Sequence, residues 1–257
     1  MRINLGTWLC AALALVAMPA GAQPVPDFDP PVKAVTILTS PLSEVTCIYY
    51  RDVMIQTLGA DLPAPGGALI LPDHDANALI PCRVVTQLRA DTISVSSRGY
   101  DMALIGRKGR FLIFGFSDPT GIQIFDVISG RSLFVDGLYG SVGAVTLSHG
   151  VLHMRYSRAV GAKCSLVTDN AGCWAKIVAS GALPHGIFVR PPPSKICQNS
   201  YNRAFYQMYG AAGSDPLRRS LRYDDPSVIS YAVDLTLDDA GYAAALPAGP
   251  LQCNLPQ

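Results

Sequence analysis

The stretch Ile122–Phe134, which reads IQIFDVISGRSLF, decides the fold class of this chain. An apolar run ends at Asp126, a turn containing Gly130 follows, and a second apolar run begins directly after it. β-Branched and aromatic residues favour pleated strands, and glycine permits the backbone angles of tight turns. The same pattern continues on both sides and predicts strands at 102–105, 110–116, 142–147 and 151–156. The connections are too short for helical crossovers, so these strands are expected to be consecutive and antiparallel.

Residues 102–150 resemble one blade of a β-propeller. An apolar strand that ends in Asp126 leads through the turn Ser129-Gly130-Arg131 into the next strand, as in the inner part of such a blade. The resemblance covers about 50 of the 257 residues. No second copy occurs at a period of about 40–50 residues, and a propeller needs several blades. The sequence therefore predicts a mainly β fold with an antiparallel meander sheet, either propeller-like or a sandwich.

The rest of the chain adds further strands and two or three short helices. Apolar, β-rich runs predict strands within 35–38, 45–58, 68–71, 228–237 and 242–246. Helical spacing of apolar residues predicts helices at 173–180 and 199–209, with a shared apolar face over 201–209. Pro216 fits the first turn of a third helix reaching Arg222. These helices form an expected insert at about 165–223.

The N-terminus reads as an export signal. Arg2 precedes an apolar run from Trp8 to Met18, and Ala20-Gly21-Ala22 matches a signal-peptidase site. We therefore expect a signal peptide at 1–22, a proline-rich leader at 23–33 and one β-rich domain at 34–257. The run is short for a bilayer span, and no integral membrane segment is expected after cleavage. This interpretation places the protein in the periplasm or outside the cell.

Six cysteines remain after cleavage, and an even number in an exported chain predicts disulfides. Zinc sites favour closely spaced cysteine pairs, which this chain lacks, so no metal is expected. Six cysteines allow 15 connectivities. The short span favours Cys164–Cys173, and sequence neighbourhood then suggests Cys47–Cys82 and Cys197–Cys253.

Charge excludes two classes of partner. The chain has 20 Lys and Arg against 19 Asp and Glu, and cleavage removes Arg2 alone, so the mature chain is formally neutral. Nucleic-acid binding requires many basic contacts to phosphate, and adsorption to anionic membranes requires basic clusters. Neither partner is expected.

Sequence motifs give no catalytic residues, no metal ligands and no cofactor. Residues 73–77 begin like a calcium loop, but Ala78 and Val84 occupy the positions of the required glycine and glutamate. His149 and His153 lack the intervening glutamate of a zinc protease and lie in a strand context that separates them. Tyr139–Gly143 departs from the serine-hydrolase motif at its first glycine.

One cluster of residues favours ligand binding. Aromatic rings and guanidinium groups stack on and hydrogen-bond to carbohydrates, peptides and anions. The candidate residues are Tyr201, Arg203, Tyr206, Arg218 and Arg222. We therefore predict a non-catalytic binding or structural protein, with a carbohydrate or an envelope protein as ligand. An exported hydrolase with dispersed catalytic residues is the alternative.

Overall fold

The computed structural model describes residues 26–40, 43–58, 67–72, 80–84, 88–96, 102–117, 120–183, 187, 194–210 and 226–254. These residues are mainly β and form three antiparallel sheets with two helices. The first sheet runs in chain order through β1 Lys33–Ser40, β2 Ser43–Tyr49, β3 Val53–Leu58, β4 Gly67–Pro72 and β5 Ile93–Ser96. The second contains β6 Met102–Lys108, β7 Phe111–Ser117, β8 Thr120–Asp126 and β9 Ser132–Gly137.

The third sheet carries both helices in the connection between its second and third strands. Its strands are β10 Val142–Ser148, β11 Val151–Gly161, β12 Val228–Leu237, β13 Ala243–Pro247 and β14 Gln252–Asn254. The order is β10-β11-β12-β13, and β14 pairs with the start of β12. Helices α1 Asn170–Ala179 and α2 Ser194–Tyr209 pack onto this sheet through Cys173, Ile177, Cys197 and Tyr201.

The three sheets stack face to face in chain order, with the second in the middle. Along β7, Phe111 and Ile113 enter the core shared with the third sheet. Leu112 and Phe114, which alternate with them, enter the core shared with the first sheet. Side chains alternate between the two faces of a strand, so this continuous apolar run is buried on both sides.

A third core covers the other face of the first sheet. We call it the outer cluster, and it consists of Val45, Cys47, Tyr49, Met54, Leu69 and Leu71. Residues 80–84 lie over it, held by the hydrogen bond from the Tyr49 hydroxyl to the Ile80 carbonyl (2.7 Å). The Cys47–Cys82 disulfide fixes the same segment covalently.

The predicted run of antiparallel strands over 102–156 is confirmed within each sheet, but it does not form one continuous sheet. β6 to β9 pair in order, and β10 pairs with β11, whereas β9 and β10 belong to different sheets. Gly140, with φ of +75°, lies in the connection between them. A side chain at Gly137 would approach the Ala159 carbonyl to 3.0 Å, so the chain passes very close to β11 as it crosses.

The predicted pairing of the six cysteines is confirmed. Cys47–Cys82, Cys164–Cys173 and Cys197–Cys253 are all disulfides. The second ties the segment after β11 to α1, and the third ties α2 to β14. The bonds are consistent with an oxidising compartment, because thiols elsewhere are kept reduced.

Both predicted helices are present and begin earlier than their apolar spacing indicated. Asp169 caps α1 by accepting a hydrogen bond from the Gly172 N–H (3.1 Å). α2 begins immediately after Pro193 and ends before Gly210, whose φ of +55° ends helices. The predicted third helix at 216–222 lies outside the described residues.

Candidate functional site

The residues predicted to bind a ligand do not form one surface. Tyr201 is fully buried, and its hydroxyl hydrogen-bonds to the Ser227 hydroxyl (2.9 Å), so this ring packs the core beneath α2. Arg203 and Tyr206 are exposed on the same helix. Arg218 and Arg222 lie outside the described residues. Ligand binding by the exposed members of the set remains a prediction.

A cleft of about 520 Å³ opens elsewhere, between the first and second sheets. Its walls are residues 29–32, the β2–β3 turn at 50–52, and Arg107 at the end of β6. Pro30, Pro31 and Val32 give it an exposed apolar side. The three segments are far apart in sequence, so no local sequence motif predicts the site.

Arg107 organises the floor of the cleft. Its two terminal nitrogens donate to both oxygens of Asp52, at 2.5 and 2.7 Å, and its Nε donates to the Gly109 carbonyl (2.7 Å). The guanidinium also lies 5.0 Å from the centroid of the Tyr50 ring, within the range of a cation–π contact. Its side chain is 11% exposed, whereas that of Asp52 is 62% exposed. The cation is therefore fixed below an accessible carboxylate.

The pKa values of two cleft residues lie far from pH 7. Hydrogen bonding from Arg107 lowers the pKa of Asp52 below its usual value. Burial raises the pKa of Tyr50, the charge of Arg107 opposes this shift, and the charge of Asp29 adds to it. Asp52 is therefore an anion and Tyr50 a neutral phenol at pH 7. Efficient general acids and bases have pKa values near the working pH, which neither group has.

The N-terminal strap, residues 26–32, builds one wall of the cleft. The Asp29 N–H donates to the Arg107 carbonyl (2.8 Å), and the Gly109 N–H donates to the Asp29 carboxylate (2.6 Å). Lys108 pairs with Asp27 at 2.9 Å. The Val32 N–H donates to the Tyr49 carbonyl (2.8 Å), which joins the strap to the first sheet as well. The wall is therefore fixed to both sheets.

Arg51 places an exposed positive charge at the cleft. It is exposed at the β2–β3 turn, and it makes no hydrogen bond or ion pair in the part of the chain that the structure describes. An exposed guanidinium beside an apolar wall suits a ligand with one anionic group and one apolar group. No family model, curated protein or solved structure matches this chain.

The described histidines lie outside this cleft. His149 occupies the β10–β11 turn with φ of +51° and hydrogen-bonds to the Ser148 hydroxyl, and His153 is exposed on β11. His74, His185 and the calcium-like segment 73–77 lie outside the described residues. Among the residues described, no three His, Cys, Asp or Glu side chains group closely enough to hold a metal ion. Neither described helix has the length and hydropathy required to cross a bilayer.

A second polar cluster, which the sequence did not indicate, joins the second and third sheets. Arg158 of β11 donates through Nε to Asp136 of β9 (2.6 Å) and also hydrogen-bonds to the Tyr231 hydroxyl (3.1 Å). The Tyr156 hydroxyl donates to the same Asp136 carboxylate. Burial and this carboxylate raise the pKa of Tyr156 far above its usual value. The cluster is a structural junction, because its donors and acceptors are directed at one another.

Proposed function

We propose that this chain is an exported, non-catalytic binding protein that holds its ligand in the cleft between the N-terminal strap and the β2–β3 turn. The observation that carries the proposal is the exposed guanidinium of Arg51 beside the apolar side formed by Pro30, Pro31 and Val32. The pKa shifts of Asp52 and Tyr50 support binding over acid–base chemistry, because neither group changes its charge near pH 7.

The ligand class favoured by this arrangement is a peptide carboxylate. The ring of Tyr50 is buried and in contact with Arg107, so it offers little surface for stacking on a sugar. A leucine-like side chain would contact the prolines, and a terminal carboxylate would accept hydrogen bonds from Arg51. Of the two partner classes expected from the sequence, an envelope protein therefore fits better than a carbohydrate.

The test uses N-acetyl-L-leucine and its uncharged amide as probes. Isothermal titration or NMR shift perturbation should show the acid binding more tightly than the amide. The Arg51→Gln substitution should weaken binding of the acid about tenfold, the loss expected for one charge-assisted hydrogen bond. Lys176→Gln removes one exposed positive charge from α1 and serves as the matched control. Equal binding of both probes, or an unchanged affinity in Arg51→Gln, would refute the assignment.

Export is part of the same proposal and has its own test. The signal-like residues 1–22 and the three disulfides support it. N-terminal sequencing of the mature protein should begin at Gln23. Protein retained in the cytosol with its leader intact would contradict export without affecting the cleft.

We also propose that the stack of sheets is propeller-like. Consecutive meanders that pack face to face, each following the last along the chain, resemble successive blades around an axis. The middle sheet, which contains the blade-like stretch Ile122–Phe134, is covered on both faces in this way. A two-layer sandwich provides only one such interface.

A further inference from the structure

The cleft presents negative charge to a ligand as well as the positive charge of Arg51. Asp52, the next residue in the β2–β3 turn, has 62% of its side chain exposed. Asp29, on the wall formed by the N-terminal strap, has 39% of its side chain exposed. Arg107 lies beneath Asp52 and is largely buried. A ligand in the cleft therefore meets two accessible carboxylates and one accessible guanidinium.

The carboxylate of Asp52 can accept more hydrogen bonds than Arg107 gives it. Arg107 donates one hydrogen bond to each oxygen, at 2.5 and 2.7 Å. An ionised carboxylate offers about four acceptor sites, so about two are left, and the exposure of the side chain gives a ligand access to them. The two bonds from Arg107 also fix the orientation of the carboxylate. A cation that binds Asp52 therefore meets an acceptor that is already ordered, which lowers the entropic cost of binding.

Asp29 is less suited to bind a ligand cation. One of its oxygens accepts a hydrogen bond from the Gly109 N–H (2.6 Å), and the other lies 3.7 Å from the ammonium group of Lys108. These contacts hold the N-terminal strap against the second sheet. Asp29 is also the less exposed of the two carboxylates. Asp52 is therefore the better acceptor for a cation.

We infer that the ligand of the cleft carries a primary ammonium group in addition to its carboxylate and its apolar group, and that Asp52 binds this ammonium. The inference rests on the proposed function, since it assigns a further group to the same ligand. A ligand with a carboxylate alone would be repelled by the two accessible carboxylates of the cleft, and a cation on the ligand offsets this repulsion. Arg107 already occupies the bidentate side of Asp52, so a compact ammonium fits the remaining acceptor sites better than a second planar guanidinium. In a peptide, the ammonium comes from a lysine side chain or from a free N-terminus.

The test compares dipeptides that end in leucine and differ only by acetylation of one amine. L-Alanyl-L-leucine is paired with its N-acetyl form, and N-acetyl-L-lysyl-L-leucine is paired with the same peptide acetylated on the lysine side chain. NMR titration of the mature wild-type protein should show that the ammonium form of at least one pair binds about threefold more tightly, as expected for an exposed ion pair. The pair that shows the preference identifies the source of the ammonium. The preference should decrease as salt is added, because salt screens exposed charges.

Asp52→Asn should abolish the preference for the ammonium form. The matched control is Asp234→Asn, because Asp234 is half-exposed and accepts two hydrogen bonds from Arg155 but lies outside the cleft, and this variant should keep the preference. Thermal unfolding monitors the fold of both variants, and the wild-type comparison of acetylated and ammonium peptides does not depend on either.

The outcomes separate this inference from the proposed function. If the acetylated peptides bind in a manner that depends on Arg51 and the ammonium forms bind no more tightly, the inference is overturned and the proposed function stands. If no peptide shows binding that depends on Arg51, both are overturned. A preference for ammonium that persists in a folded Asp52→Asn variant overturns the assignment to Asp52.

Discussion

Asp126 shows how one buried carboxylate is accommodated at the end of a strand. It accepts two hydrogen bonds from Arg110, at 2.9 and 2.8 Å, one from the Ser129 hydroxyl (2.6 Å) and one from the Ile128 N–H (3.2 Å). Burial alone would raise its pKa, but the hydrogen bonds and the charge of Arg110 outweigh burial and lower it to about 2. The turn that follows β8 is therefore built around an anion.

Replacing this carboxylate should make the free energy of unfolding depend less on pH in the acid range. Since the folded pKa of Asp126 is about 2 against an ordinary 3.8, its ionised form stabilises the fold above pH 4, and this contribution is lost as the pH falls toward 2. Asp126→Asn should cost about 2 kcal/mol at pH 7, measured by urea unfolding. The difference in free energy of unfolding between this variant and the wild type should shrink between pH 4 and pH 2.

The control is Asp234→Asn, which breaks the half-exposed pair with Arg155 and should cost less than about 1 kcal/mol. If Asp126→Asn stays less stable than the wild type by the same free energy of unfolding down to pH 2, this account is contradicted.

At the level of elements, the N-terminal strap depends on one glycine of β6. A Cβ added at Gly106 would lie 2.5 Å from the nearest atom of the Phe28 ring, which is closer than packed atoms allow. Gly106→Ala should therefore displace Phe28 and destabilise the protein by about 1–3 kcal/mol, the usual cost of overpacking. Chemical denaturation measures the loss. Adding Phe28→Ala to this variant should then cause little further loss, whereas full additivity would show that the two positions do not contact.

Most of the strands and both described helices follow from local sequence, whereas the short strands β5 and β14 and the cleft do not. The apolar, β-rich run over 228–237 predicts β12 at its observed bounds, and the helical spacing over 173–180 predicts α1 with a start three residues later than the observed one. Composition identifies 23–33 only as a proline-rich leader, whereas the contacts of this segment with Lys108 and Gly109 join residues about 80 positions apart. The ligand prediction for Tyr201 rests on its residue type and on its position among the aromatic and arginine residues of 201–222. Residue type does not distinguish a ring that binds a ligand from one that packs the core, and Tyr201 packs the core.

At the scale of the whole molecule, the second and third sheets meet at a charged junction. Arg158 pairs with Asp136, whose side chain is only 14% exposed, so Arg158→Met leaves a nearly buried carboxylate without its cation. The expected cost is about 3 kcal/mol, measured by urea unfolding. Arg155→Met serves as the matched control, because Arg155 lies on the same strand and forms a half-exposed pair with Asp234. It should cost less than about 1 kcal/mol.

The double variant Asp136→Asn with Arg158→Met identifies the cause of that loss. If the destabilisation of Arg158→Met comes from the unpaired charge, neutralising Asp136 should recover part of it. A double variant that is less stable than either single variant would show that packing, and not charge, holds the two sheets together here.

Because the middle sheet is buried on both faces, its strands should become exposed only when the protein unfolds. β7 and β8 are covered by the first sheet on one side and by the third on the other, so neither can be exposed unless one of those sheets separates. Their amides should therefore exchange with deuterium only through global unfolding, at a free energy equal to that of denaturant unfolding. The amides of β1 and β13 should exchange through local fraying at lower free energies. Mass spectrometry of peptic fragments would rank these segments, and rapid exchange in Phe111–Ser117 would show that the outer sheets detach one at a time.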